Sequence, residues 1–278
     1  MFFLILAVLS SSMISIIMRL SSDKISGNLS MLAVNYIICS LLAAGYAGFD
    51  VLPVAQQGFG TTLMLGILSG VLYLVSFMLL QFNTRKNGIV LSSVFMKLGL
   101  LVPMILSVAV FREKPTGVQI TGFVVAVAAI VIINIKKGTG EESFGPGLIV
   151  LLIMGGSADA MSKVFEYFGT AALSNQFLFY TFTVAFIFCT ALVLIKKERP
   201  GKKEILFGTF IGIPNFFSSK FLLEALNELP AVVVYPTFCV ATMLIVTLTG
   251  AFFFKEKLTK RQWSALVMII AALVMLNI

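Results

Sequence analysis

The sequence of 278 residues predicts an all-α membrane protein with ten transmembrane helices, arranged as two inverted five-helix repeats. Three observations lead there. Apolar runs of about twenty residues recur along the chain, each long enough at 1.5 Å per residue to cross hydrocarbon ~30 Å thick. A charged turn, Phe111-Arg112-Glu113-Lys114, returns 143 positions later as Phe254-Lys255-Glu256-Lys257. Five runs lie on each side of a polar middle, and an odd number makes the second half enter the membrane from the opposite side.

Composition supports the same class. Hydrophobic residues make up 59% and charged residues 12%, where a soluble domain carries about 25% charged. The net charge of +8 does not point to nucleic acid, because the Lys and Arg residues sit in short loops between apolar runs and so report orientation in the membrane. There is no histidine, and Cys39, Cys189 and Cys239 lie far apart inside apolar runs. A metal site, a disulfide framework and a cofactor are therefore not expected.

The runs follow in order. The first, at 2–20, opens on Phe2 without a basic flank, so it reads as a span and not as a cleavable signal. The second, 29–47, carries Asn35, and the third, 61–82, carries Gly66-x-x-x-Gly70 and Tyr73 before ending at Arg85-Lys86. The fourth, 88–111, holds Lys97 and Pro103, and the fifth, 117–135, follows the first charged turn. The polar connection from Lys136 to Gly145 then divides the chain into a first repeat (1–135), a linker (136–146) and a second repeat (147–278). The sixth run, 147–164, carries Asp159 and Lys163, and the seventh, 173–195, opens near Asn175. The eighth, 204–225, contains Gly208-x-x-x-Gly212, Pro214, Asn215, Lys220 and Glu224. The ninth, 230–254, holds Tyr235 and Pro236; the tenth, 261–278, begins beside Arg261 and Trp263, an expected interface anchor. The spacing of the small residues permits close helix contact, and Pro103 and Pro236 predict kinks.

The halves superpose residue by residue. Ser76 matches Ser219, Leu79-Leu80 match Leu222-Leu223, Gln119 matches Gln262 and Asn134 matches Asn277. Arg19 pairs with Lys163, and Asn35 pairs with Asn175, with the small drifts falling in loops. The charged turns fall on opposite membrane faces, where each Glu is expected to pair with a nearby Lys or to cap the helix that follows. Of the 20 Lys and Arg residues, only Lys97, Arg112, Lys114, Lys163 and Lys220 lie away from the loops after odd-numbered spans. That bias makes those loops cytoplasmic and both termini extracytoplasmic.

The ten-helix inverted repeat, with its doubled Phe-Arg/Lys-Glu-Lys turn and following Gln, resembles the EamA-type transporters of the drug/metabolite transporter superfamily. The resemblance covers essentially the whole chain. It implies a secondary transporter in the cell membrane, of the kind that exports amino acids, other metabolites or toxic compounds. Many relatives carry basic residues at the N-terminus and in the loop after the second span, whereas Gly48 to Thr61 has none here.

Charges inside spans are the candidate site, since each costs roughly 2.5–3.5 kcal/mol at a helix centre and must face a cavity or a partner. Lys97 lies near the midplane and suits a carboxylate or phosphate; a structural carboxylate partner is the alternative. Phe216, Lys220 and Glu224 share one helix face, so Lys220 and Glu224 could bind substrate or neutralise one another. Asp159 shares a face with Gly155 and Lys163. It could carry a coupling proton, hold a substrate amine, or act as a fixed partner for Lys97, Lys163 or Lys220. Asn35, Asn175, Asn215, Tyr73 and Tyr235 add polar contacts, and Asn35 and Asn175 could instead brace neighbouring helices.

These residues point to a secondary transporter of a small polar or zwitterionic metabolite, with an amino acid favoured, exporting by alternating access. Lys97 and Lys220 would hold an anionic group, while Asp159 or Glu224 would hold an amine or a proton. Its partners are then a small-molecule substrate, the lipid bilayer and protons as coupling ion, and either a monomer or a homodimer fits. A lipid-carrier flippase of the same superfamily is the alternative. A membrane-embedded enzyme lacks any nucleophile–base pair or metal ligand set in this sequence.

Overall fold

A computed structural model describes residues 1–21, 24–25, 27–87, 89–134, 146–198, 200–254 and 259–278. Among the described residues the regular structure is helical, with no strand. The helices are α1 (Phe2–Ser21), α2 (Asn28–Tyr46), α3 (Phe59–Asn87), α4 (Ile89–Leu98), α5 (Leu101–Ala109), α6 (Gly117–Asn134), α7 (Pro146–Phe168), α8 (Ser174–Ile195), α9 (Lys202–Glu228), α10 (Ala231–Phe252) and α11 (Lys260–Leu276). Seven stretches among the described residues are long and apolar enough to cross a membrane: α1, α2, α3, α7, α8 with the short turn before it, α9 and α10.

The expected fourth span is not one helix. It breaks into α4 and α5 at Gly99–Leu100. Pro103 lacks an N–H, so the carbonyl of Gly99 cannot receive its usual bond from four residues on. It accepts from Val102 N at 2.9 Å instead. Pro214 and Pro236 lie inside the continuous helices α9 and α10.

Two compact units are built from these elements. Unit 1 combines Met1–Leu74 with Met161–Asn227, and unit 2 combines Val75–Ala160 with Glu228–Ile278. In unit 1, Cys39, Ala43, Leu65, Met161, Phe165, Phe177, Phe182, Phe216 and Leu223 form a buried cluster. Phe165 stacks on Phe177 with ring centroids 4.3 Å apart. The two glycine pairs set the helix spacing there. A Cβ on Gly66 would sit 2.6 Å from Tyr180 Cβ, and one on Gly70 2.7 Å from the Thr181 carbonyl, so α3 lies against α8 with backbones nearly touching. Likewise, Gly208 would meet the Met31 carbonyl at 2.7 Å and Gly212 the Asn35 carbonyl at 2.9 Å, which brings α9 as close to α2.

At these contacts Asn35 stands opposite Gly212, and Thr181 opposite Gly70.

In unit 2, Leu100, Ala126, Ala129, Ile130, Val240, Met243, Ile269 and Ala272 form the main core. A Cβ on Gly156 would fall 2.1 Å from the Gly99 carbonyl, so α7 presses directly on the break between α4 and α5. Both repeated turns lead into the same cap. Thr116 N donates to Gln119 Oε1 at 3.0 Å, and Gln119 N donates back to Thr116 Oγ1 at 3.2 Å. Thr259 and Gln262 repeat this reciprocal capping box at the start of α11.

Candidate functional site

Unit 2 brings together three of the residues singled out in the sequence. Asp159 on α7, Lys97 near the end of α4 and Tyr235 on α10 surround one short stretch of α10. The Tyr235 hydroxyl donates to the Asp159 carbonyl oxygen at 2.9 Å. Cys239, one turn further along α10, has both Lys97 and Asp159 as electrostatic neighbours. The local sequence explains this placement. The four-residue step from Tyr235 to Cys239 keeps them on one face of α10. The Gly155-Gly156 pair lets α7 approach the turn that follows Lys97, with Gly155 closing on Met96 Sδ.

The charges of Lys97 and Asp159 are not spent on the fold. Both side chains are exposed. Among the described residues, neither the ammonium nor the carboxylate makes a hydrogen bond or an ion pair. A fixed structural partner for either, one of the alternatives open from sequence, is therefore not seen among the described residues.

Unit 1 holds a second polar cluster of different character. Lys220 Nζ donates to Asn175 Oδ1 at 2.9 Å and lies 4.4 Å from the centre of the Tyr46 ring, a cation–π contact. Asn175 in turn donates to the Tyr46 carbonyl at 3.1 Å. Glu224 is an electrostatic neighbour of Lys220, although the two are not in ion-pair contact. Deeper in unit 1, Asn215 Nδ2 donates to Asn35 Oδ1 at 3.1 Å, and the Cys39 thiol donates to the Gly212 carbonyl at 3.2 Å. Tyr73, half-buried, is an electrostatic neighbour of Tyr36. Lys163 pairs with Glu166 at 2.6 Å.

Asn175, a polar candidate from sequence, is a partner of Lys220. Sequence reasoning missed Tyr46 as its second partner and Cys239 as a neighbour of both charges in unit 2; spacing along one helix cannot show what another helix presents. The reading of the charged turn is corrected in one respect. Glu113 does not cap α6, the helix that follows it. Its carboxylate accepts from Ala231 N and Val232 N, each at 3.0 Å, at the start of α10. Glu256 of the second turn and the linker lie outside the described residues, as do the side chains of Gln81, Ser93 and Asn134. Among the described residues, no group of three or more His, Cys, Asp or Glu is placed to hold a metal ion.

The described residues are all-helical in their regular structure, and seven stretches are long and apolar enough to cross a membrane. The profile of the EamA-like transporter family matches residues 1–135 and again 146–278, and the chain belongs to that family, within the drug/metabolite transporter superfamily. A Haemophilus influenzae protein described only as uncharacterized is 23% identical over 281 residues, spanning 97% of this chain and 95% of its own. A protein of known crystal structure superposes with a TM-score of 0.76 at 13% identity, over 99% of this chain and 94% of that one. That likeness concerns the fold alone. Family membership implies a multi-pass membrane protein that handles a small molecule, a transporter rather than an enzyme.

Proposed function

We propose that the protein is a secondary active transporter that exports a small polar or zwitterionic metabolite, an amino acid being the favoured cargo. The observation that carries this reading is the pair Lys97 and Asp159. They are opposite charges in membrane helices, exposed, unpaired among the described residues, and both neighbours of Cys239. An uncompensated charge in such a helix is costly, and a zwitterion would relieve both at once. Lys97 binds the anionic group. Asp159 takes the amine, or the coupling proton in the step when the amine is absent. Tyr235 steadies the Asp159 backbone. Lys220, Asn215, Asn35, Tyr73 and Glu224 form a polar region in which Lys220 already has internal partners, and we assign it a lesser share of binding.

The architecture we assign is ten spans in two inverted five-helix repeats, 1–135 and 147–278, joined by the linker 136–146. The α4–α5 pair counts as one interrupted span, and α6 and α11 as short ones. Support comes from the double family match, from the twin capping boxes, and from the reciprocal packing of α3 on α8 and α9 on α2 through matched glycine pairs. Such repeats underlie alternating access. The basic loops put both termini outside the cytoplasm.

The deciding experiment is counterflow in proteoliposomes loaded with amino acids, comparing wild type with Lys97→Ala and Asp159→Asn. Loss of exchange in both variants, with helical content retained, supports the assignment. Undiminished exchange by Lys97→Ala removes that residue from the mechanism. A lipid-carrier flippase is the second reading, favoured by an open apolar groove of about 300 Å³ lined by Leu101, Met104, Ile105, Val108, Ala109 and Phe123. Scrambling of labelled lipid in the same vesicles, without amino-acid exchange, would select it.

A further inference from the structure

The helices α10 and α2 each begin after a residue that cannot cap them. The residue before α10 is Pro230, and the one before α2 is Gly27; neither offers a side-chain cap. The first turn of a helix exposes backbone N–H groups that need acceptors. At α10 the need is acute, because Ala231 is 0% and Val232 2% exposed, so water is no substitute. In both cases a glutamate from a distant loop meets the need. Glu113 accepts from Ala231 N and Val232 N. Glu198 Oε2 accepts from Ser30 N and from the Ser30 hydroxyl, each at 3.3 Å, at the start of α2.

The loops that deliver these glutamates share a further feature. Arg112, immediately before Glu113, has φ 56°, and Lys197, immediately before Glu198, has φ 53°. Positive φ is uncommon for residues other than glycine. In each loop the chain turns back on the helix it has just left. Glu113 N donates to Ser107 O at 3.0 Å, and Glu198 N donates to Val193 O at 3.0 Å. A basic residue in the left-handed conformation thus aims the next residue, a glutamate, at the N-terminus of another helix. Among the described residues it happens once in each unit.

We propose that Glu113 and Glu198 are positioning residues, two built-in clasps that fix α10 and α2, the helices presenting Tyr235 with Cys239 and Asn35 with Cys39. For Glu113 the consequence is specific. The clasp sets the position of α10, and α10 in turn places Tyr235 and Cys239 against Asp159 and Lys97. Without it the N-terminus of α10 loses two acceptors and the face it presents to the charge pair is no longer fixed. The role in substrate binding rests on the transport reading; the role in placing Cys239 does not.

The test uses the full chain in proteoliposomes, in a background with Cys39 and Cys189 replaced by Ala so that Cys239 is the single thiol. Its alkylation rate by a small maleimide and the KM for exchange are both measured in Glu113→Ala, Glu113→Gln, Arg112→Gly and Arg112→Val. Glu113→Ala should change the alkylation rate about tenfold and raise KM more than it lowers kcat, as expected for loss of a charged cap. Glu113→Gln, which keeps one acceptor, should fall between. Arg112→Gly keeps the left-handed turn and should leave both readouts at wild-type values, while Arg112→Val, a β-branched residue at positive φ, should reproduce Glu113→Ala. Wild-type alkylation in both Glu113 variants overturns the clasp, and so does an Arg112→Gly variant as impaired as Glu113→Ala. If amino-acid exchange is absent in the wild type, the transport reading fails while the alkylation series still decides the clasp.

Discussion

Lys220, Asn35 and Lys163 of unit 1 have internal partners, whereas the side chains of Lys97 and Asp159 in unit 2 have none among the described residues. In unit 1 the Lys220 ammonium rests on Asn175 and the Tyr46 ring, Asn215 donates to Asn35, and Lys163 pairs with Glu166. In unit 2, Lys97 and Asp159 share Cys239 as a neighbour but make no ion pair. A lone charge in a membrane helix is costly, and internal partners remove most of that cost at the expense of availability. Satisfied polar groups therefore describe how a bundle holds together. The two without internal partners are where we propose that a ligand binds.

The comparison would break most visibly in transport. Lys97→Ala and Asp159→Asn should each lower exchange by at least about a hundredfold, the scale of losing a charged contact of ~3 kcal/mol, with thermal midpoints close to wild type. Lys220→Ala should lower exchange by about tenfold or less and cost more in thermal stability, because it removes a partner from Asn175. The reverse ranking, measured by counterflow and by thermal unfolding, would exchange the roles given to the two units.

Packing sets the next effect. Gly156→Ala forces a Cβ onto the Gly99 carbonyl and should destabilise the protein by about 1–3 kcal/mol. Gly60→Ala, where nothing lies within 4 Å, should be neutral or stabilising by about 0.5 kcal/mol. Thermal unfolding in detergent reads both; equal losses would mean that the close approach of α7 to the α4–α5 break has no energetic weight.

Thr116→Ala and Thr259→Ala remove the same capping box from α6 and α11, and each should cost about 1 kcal/mol. Unequal costs would show that the twin turns carry different burdens. The smallest effect belongs to the Asn35–Asn215 bond. A double-mutant cycle with Ala at both positions should give a coupling near ~0.6 kcal/mol, the usual size for polar pairs between membrane helices. A coupling several times larger would move this pair from bracing toward function.

Much of the helical plan was legible because it depends on local properties. Apolar runs have to become helices in a bilayer, where every backbone N–H and C=O must be satisfied within the segment. The recurring Gln of the turns was legible, but its capping role with Thr116 and Thr259 was not read from the sequence, although such a box acts over only three residues. The in-span charges could be found by their cost alone. Less legible was the interruption at Gly99–Leu100, where Pro103 announces a kink but not that Gly156 would press into the gap. The close approach of α9 to α2 and of α3 to α8 was less legible too, since a small-xxx-small spacing does not name the helix it packs on.

Sequence by itself determined the class: a helical membrane chain with a repeated turn and four ionisable residues where lipid would not tolerate them. Helix formation, capping and the expense of a charge in hydrocarbon are set by a residue and its near neighbours. Only the tertiary structure decided which of those charges were already engaged. That Lys220 meets Asn175 and Tyr46, that Lys97 and Asp159 flank Cys239 without an ion pair, and that Glu113 reaches α10 and not α6 all depend on contacts between residues far apart in the chain. The physical reason is that partners are chosen by how helices lie against one another, and that follows from the packing of small residues and cores, which no single helix contains.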